Sequence, residues 1–202
     1  MSDLDAVYAI CLQTGDAGQD ASALYKDPKL IGHIYVAPYV ALKEAISFVA
    51  EDNKGLLGYA VGAADTREFE AELEVKWWPE LRKVHSEPRG ERSNWTLDEL
   101  RAWTIHHPAK VPDDIVKSHP SHIHMNLLPR AQGKGIGSGL LEAWINSAGS
   151  KGVTAVHAGV SAVNSSGLKF WTARGFKPLR EDLTGGSKGT IWCGRTLSET
   201  KP

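Results

Sequence analysis

Cysteine is scarce here: the 202 residues contain two, Cys11 and Cys193. That excludes a disulfide-stapled scaffold and fits a reducing cytoplasm, where a bridge between the two is allowed but not required. Long apolar runs are missing as well, so no membrane span is expected. The opening MSDLDAVYA has neither a basic n-region nor an apolar stretch, and no signal peptide is expected from it. Charge of one sign is also lacking. Lys and Arg number 23 against 24 Asp and Glu, and no basic run or stripe stands out, which argues against a nucleic-acid-binding surface. There is no internal repeat, no low-complexity segment and no tyrosine beyond Tyr59. The composition that remains, 42% apolar and 23% charged, is that of a soluble globular chain. Its length suits one domain with a substantial core, or one carrying a large insertion.

Glycine is the feature that is present in force. In LLPRAQGKGIGSGLL, residues 127–141, Gly133, Gly135, Gly137 and Gly139 occupy every second position between an apolar run and an amphipathic one. This reads as a strand, a turn and a helix N-terminus, whose backbone N–H groups and dipole suit phosphate oxygens. The competing reading is a turn that is glycine-rich only for close packing. A triphosphatase loop needs Gly-Lys-Ser/Thr in that order, and Lys134 precedes Gly135, so a nucleotide kinase is disfavoured. A GxGxxG fingerprint fails from Gly133, which ends on Ser138, and from Gly135, which ends on Leu140.

The spacing that does fit is Gln132-x-x-Gly135-x-Gly137, with Pro129 ahead and Leu140-Leu141 behind. It resembles the acyl-CoA pyrophosphate loop of the GNAT N-acetyltransferase superfamily. A second segment, AVHAGVSAVNSSGLKFWTARGFKPL (residues 155–179), resembles that family's other signature: a strand ending at Asn164, a short helix with Phe170, then Arg174-Gly175-Phe176. Gly58-Tyr59-Ala60-Val61-Gly62, Asp65, Phe69 and Trp77-Trp78-Pro79 add a looser likeness to the acetyltransferase-like C-terminal domain of eukaryotic protein O-GlcNAc hydrolase and its stand-alone bacterial relatives. The eukaryotic domain lacks an intact glycine loop and is viewed as non-catalytic. The loop is kept here, which favours retained acetyl-CoA binding.

The order of elements predicts an α/β (α+β) fold, a mixed central sheet flanked by helices; the resemblance implies that it is the GNAT acyl-CoA N-acyltransferase fold, in one domain over residues 1–202. A helix is expected over residues 3–14, with Leu4, Val7, Tyr8, Cys11 and Leu12 on one face and Ser2 as N-cap. The strand that usually precedes it has no room. Loop with short helical pieces covers residues 16–34, and a second helix falls near Tyr39–Glu44. A hairpin follows: Ala45–Glu51, a turn at Asp52–Gly55, and Leu56–Ala64. Residues 66–120 form a helical insertion. Phe69, Leu73, Trp77, Leu81 and then Val84 or His85 have helical spacing, Pro79 should kink or break the helix after Trp78, and Thr96–Glu99 is a capping box. Trp77, Trp78, Trp95 and Trp103 read as the insertion's own core, or as an aromatic box for a ligand. Strands at Ser121–Leu128, Thr154–Ala162, Lys177–Arg180 and Thr190–Leu197 complete the sheet, with a buried helical stripe Ile136, Leu140, Leu141, Trp144, Ala148, a helix Ser165–Ala173 and a turn at Gly185-Gly186.

The resemblance implies a chemistry. Acetyl-CoA as cosubstrate lies between the strands ending at Leu128 and near Ala162. The implied coenzyme contacts are Leu127, Leu128, Arg130, Gln132, Gly133, Lys134, Gly135, Ile136, Gly137, Ser138, Asn164, Ser166, Phe170 and Trp171. A primary amine, on a small molecule or a protein, attacks the thioester directly. That needs a base, because an alkyl ammonium of pKa ~10 is protonated at neutral pH. His122 and His124 share one face of their strand and have the right chemistry; Asp65 and Asn126 are weaker candidates for positioning the base or its water. Arylalkylamine N-acetyltransferases carry a His-x-His on this strand one residue out of register, which reverses the face. The competing reading of the pair is core packing, and a metal site from His119, His122 and His124 lacks a completing carboxylate or Cys. The family's usual tyrosine acid is replaced by Trp171. This leaves coenzyme A to depart as a thiolate unassisted, or leaves a module that binds the coenzyme without catalysis. The acceptor is unassigned, no nucleic acid or membrane is implied, and a homodimer is left open.

Overall fold

The structure, a computed structural model, describes residues 3–43, 45–183 and 189–197. Six strands form one mixed sheet: β1 (Ala45–Asp52), β2 (Gly55–Ala63), β3 (Ser121–Leu127), β4 (Ala155–Ser161), β5 (Lys177–Asp182) and β6 (Thr190–Thr196). Their spatial order is β1-β2-β3-β4-β6-β5. Four neighbouring pairs are antiparallel. The fifth, β3 with β4, is parallel and is joined at two positions, Ser121 with Val156 and His122 with His157. Beyond these the strands part, and a wedge opens in the middle of the sheet.

Strand alternation sorts the core onto two faces. On one face Ala60, Ile123, Val156, Ala158 and Val160 pack against α8 (Ile136–Ser150) and α9 (Ser165–Thr172). Trp144 of α8 is fully buried there, and its indole N–H donates to the Ile46 carbonyl at 3.2 Å. It lies flat on β2 because Gly62 has no side chain; a Cβ at that position would meet the Trp144 ring at 2.9 Å. On the opposite face Tyr59 and Val61 pack against α1 (Asp3–Gln13), α2 (Leu30–Tyr35) and α3 (Ala37–Ala41). The two cysteines are free and sit on opposite faces, Cys11 with Tyr59 and Cys193 with Trp144, so the sheet separates them.

The N-terminal helix departs from its expected face at one end: Leu4 is 40% exposed, and Ile10 is buried with Val7, Tyr8 and Cys11. The helix expected at Tyr39–Glu44 starts earlier. It is the pair α2 and α3, and the backbone is already extended at Leu42. Among the described residues no strand precedes α1. Ser2 and the Gly185-Gly186 turn lie outside the described residues.

The insertion comprises α4 (Thr66–Glu72), a π-helical turn (Leu73–Trp77), α5 (Trp78–Val84), α6 (Leu97–His106) and α7 (Asp113–Ser118). Pro79 does not break the first helix as expected. Proline lacks an N–H and crowds the carbonyl four residues back. The widened turn absorbs this, with the Trp78 N–H reaching to the Leu73 carbonyl. The turn also adds a residue, which moves the buried stripe from Trp77 to Trp78 and leaves Val84 72% exposed. Leu73, Trp78, Leu81 and Ile105 then pack with Phe69, Leu30 and Ala63, so this core is shared with α2 and the end of β2. Trp95 and Trp103 pair at 5.3 Å outside it, and Trp103 stacks on His107 at 3.7 Å. The Thr96–Glu99 capping box opens α6, with both reciprocal bonds formed.

Candidate active site

The wedge has chemically usable walls. The Leu128 N–H donates to the Leu57 carbonyl at 2.9 Å. By strand alternation the backbone groups of Ile123, Met125 and Leu127 therefore point away from β2, into the opening. Past the last β3–β4 pair this edge runs on for about 13 Å at ~3.3 Å per residue, with its Leu127 carbonyl taken by the Gln132 amide. It runs straight into the glycine loop. Gly133 and Gly135 have φ of +71° and +79°, which other residues resist, and a Cβ at either would meet no protein atom within 4 Å. Gly135 is the N-cap of α8 and provides no side-chain cap, so the N–H groups of Ile136, Gly137 and Ser138 have no capping partner. Gly137 serves packing instead: a Cβ there would meet the Phe170 ring at 2.8 Å. Gly133 and Gly135 thus set the shape of the turn, and Gly137 seats it on α9.

The other residues of the expected coenzyme set divide. Gln132 is exposed and its amide donates to the Leu127 carbonyl at 3.2 Å; Lys134 is exposed at the tip of the loop. Ile136 and Leu127 pack against the core under α8. Leu128 faces the opposite side, with Tyr59 and Val61. Arg130 is turned away, bound to Asp52 at 2.5 Å and to the Leu56 carbonyl at 3.0 Å. Asn164 caps α9, accepting from the Gly167 N–H at 2.8 Å and from the Ser166 hydroxyl at 3.0 Å. Trp171 is 7% exposed and packs edge-on against Phe176. One cation that the sequence reading did not single out for the coenzyme stands beside the loop. Arg174 donates two bonds to the Ser138 hydroxyl, at 3.1 and 2.7 Å, over the face of Phe170. Its place one helical turn after Phe170 was the available signal.

On the opposite face of β3 the two histidines part company. The Thr66 hydroxyl gives its one proton to the Pro120 carbonyl at 2.6 Å, so at 2.9 Å it can only accept from His122 Nδ1. His122 Nε2 is then an acceptor for the Tyr39 hydroxyl at 2.9 Å. Both nitrogens are spent inside the protein, and burial holds the imidazole at about 3, a permanently neutral ring. His157, beside it on β4, donates from Nδ1 to the His119 carbonyl at 2.7 Å and is held at about 4 by burial. His119 itself turns to Ser118, and among the described residues no three potential ligands converge on a metal position.

His124 is the first residue on this face beyond the last β3–β4 pair, at the apex of the wedge. Its Nε2 is sealed from solvent without a partner, and no hydrogen bond engages Nδ1 among the described residues. Burial lowers it to about 4. Tyr59 and Tyr35 flank the ring at 5.9 and 6.4 Å. Asn126, two residues on, donates its amide to the Thr14 hydroxyl at the end of α1. Asp65 caps α4, accepting from the Glu68 N–H at 3.0 Å. Asn126 therefore ties the end of α1 to β3, and Asp65 serves the helix that follows β2.

A parallel strand pair opened into a wedge, with a glycine-cradled helix N-terminus at its mouth, defines an acyl-coenzyme A-type transferase fold. The chain belongs to the acetyltransferase (GNAT) family, whose profile matches residues 19–176. It is similar to the crystal structure of SsHAT, with 34% identity and a TM-score of 0.85 over 98% of this chain and 95% of that one. It also resembles protein O-GlcNAcase of Rattus norvegicus, 23% identical over 195 residues, which are 96% of this chain and 21% of the relative; the Mus musculus protein matches equally. The chain thus spans about a fifth of the length of these curated relatives. The fold is shared with yncA of Salmonella typhimurium, solved with its cofactor acetyl-CoA, at 16% identity and a TM-score of 0.53 over 99% and 91% of the chains. No helix among the described residues is long and apolar enough to cross a membrane.

Proposed function

We propose that this chain moves the acetyl group of acetyl-CoA to a primary amine by direct attack in a ternary complex. On this reading it works in the cytoplasm as one domain, with residues 66–120 shaping acceptor choice. One observation carries the reading: the open edge of β3 joins the cradle at Gly133–Ser138 to the unpartnered imidazole of His124. The N–H groups of the loop and the start of α8, with Arg174 behind Ser138, would hold the diphosphate. The edge at Met125 and Leu127 would pair with the pantetheine arm, and the thioester supplies the acyl carbon.

The amine then enters from the opposite face. Losing its proton at pH 7 costs ~4 kcal/mol for an ammonium of pKa ~10, and less in a cleft that disfavours charge. His124 is neutral and has a free lone pair. It accepts the amine N–H, sets the nitrogen for attack, and passes the proton to water, which its low basicity favours. The thiolate departs unassisted, a thiol of pKa ~8.5 being a fair leaving group.

A coenzyme-binding module without turnover is the second reading, favoured by Trp171, which is buried on Phe176 and has no acid to offer. Calorimetry with acetyl-CoA, followed by thiol release over polyamines, aminoglycosides, arylalkylamines and lysine peptides, separates the two. Turnover that disappears in His124→Ala while coenzyme affinity stays supports transfer. Saturable heat with no thiol release from any amine supports the second reading, and no saturable heat overturns both.

A further inference from the structure

Arg67, Arg82, Arg130 and Arg180 each hold a carboxylate. Arg101, on the buried side of α6, forms no ion pair among the described residues, although it is only partly open to water. Its Nε donates to the Tyr25 hydroxyl at 3.1 Å and one Nη1 hydrogen to the Tyr35 hydroxyl at 3.2 Å. Of the five guanidinium hydrogens, one on Nη1 and two on Nη2 are left over, the edge that grips a carboxylate with two parallel bonds. Asp98, three residues before it on the same helix, is occupied: its two oxygens accept the N–H groups of Lys26 and Asp27, at 3.1 and 2.9 Å.

Arg101 reaches the wedge's neighbourhood through Tyr35. Its guanidinium carbon lies 5.7 Å from the Tyr35 ring centre, and that ring lies 6.4 Å from His124, so the cation and the imidazole are separated by no more than those two lengths end to end. The Tyr35 ring between them is 38% exposed, so this side of His124 is open to solvent at Tyr35. Two neighbouring polar atoms on this side of the sheet are unsatisfied. His124 Nε2 has no partner, and the fully buried Tyr59 hydroxyl has only the Cys11 thiol beside it, a weak acceptor. A desolvated cation without a counter-ion is costly unless a ligand completes it.

We propose that this cleft selects acceptors carrying a carboxylate as well as the amine, the carboxylate on Arg101 and the amine at His124. The acceptor class is thus a free amino acid or a peptide end, in preference to a polyamine, an aminoglycoside or an arylalkylamine. Tyr25 and Tyr35 hold the guanidinium in place. Histidine and cation come from different parts of the chain, Asp98 fastening α6 to the segment at Lys26 and Asp27 ahead of α2. This rests on the transfer reading above.

The test pairs each of several amino acids with its decarboxylated amine and its carboxamide, measuring thiol release by the full chain with saturating acetyl-CoA. The carboxylate members should be favoured roughly 10- to 100-fold in kcat/KM, the range of one charge-assisted contact. Arg101→Gln should erase the preference by raising KM with kcat little changed, while calorimetric acetyl-CoA affinity stays put; Arg101→Lys should restore part of it. Because the substrate series on the unaltered chain already decides, a variant that folds poorly does not rescue the idea. Release that ignores the carboxylate, or a preference that survives Arg101→Gln, overturns this inference alone. No release from any amine overturns the transfer reading and this one with it.

Discussion

Lowering the pH from 8 to 5 sets three imidazoles against the fold, His157 buried and His122 and His124 half-buried. His122 is held at about 3, and His124 and His157 at about 4, each chiefly by burial. An unfolded imidazole titrates near 6.5. Folded pKa values lie below unfolded ones, so the unfolded chain binds the extra protons and stability falls as pH drops through 6.5. At pH 5 each ring is still neutral when folded and almost wholly charged when unfolded, a loss of about 2 kcal/mol per ring and about 6 kcal/mol for three. The figure hardly depends on how far below 5 the folded values lie. His33 and His119, also lowered, act in the same direction. The depressed carboxylates Asp20, Asp52 and Glu87, which are exposed, and Glu99 and Asp182, which are half-buried, would add only at lower pH. Such a loss consumes much of a typical domain's 5–15 kcal/mol. Urea unfolding followed by tryptophan fluorescence should show the midpoint falling by about 2–3 M between pH 8 and 5, for a slope of ~2–3 kcal/mol/M. His122→Phe should flatten the pH dependence by about a third, whatever it does to stability at pH 8. A total change under about 2 kcal/mol would falsify the claim that these rings are neutral and dry.

Three substitutions test the rest of the framework. Gly135→Ala forces a side chain to φ +79°, so about 1 kcal/mol of stability and roughly tenfold in acetyl-CoA affinity should be lost; unchanged calorimetric affinity would remove the loop from the coenzyme site. Gly139→Ala lies inside α8 with open space around the new methyl and no positive φ, and should raise stability by about 0.5–1 kcal/mol in the same urea assay; a loss would show that the space is filled. Thr66→Val strands the buried His122 Nδ1–H and should cost about 1–3 kcal/mol, with Thr66→Ser close to the parent; equal losses in the two would deny the hydroxyl its acceptor role.

What the chain reveals on inspection is whatever a few neighbouring residues impose on each other. Gly133 and Gly135 are legible because backbone in the left-handed region selects glycine locally, and the capping box at Thr96–Glu99 is legible because its bonds close within one turn. That His122 and His124 share a face follows from strand alternation alone. Which of them keeps a free nitrogen does not, since the groups that occupy His122 stand 56 and 83 residues away, at Thr66 and Tyr39. Pro79 marks a disturbance in sequence, but whether the helix breaks or widens depends on whether Trp78 gains by burial, and the partners that bury it include Leu30 and Ala63. Arg101 is hidden for the same reason: on α6 it looks like any charged residue of an amphipathic helix until Asp98 is seen holding that helix over Tyr25 and Tyr35. The proposed coenzyme half of the site is therefore written as a contiguous motif, because it is backbone at a helix end. The proposed acceptor half draws on side chains of α2, α6 and β3, so on that proposal a related chain could keep the glycine loop intact and change its acceptor by replacing one residue in the insertion.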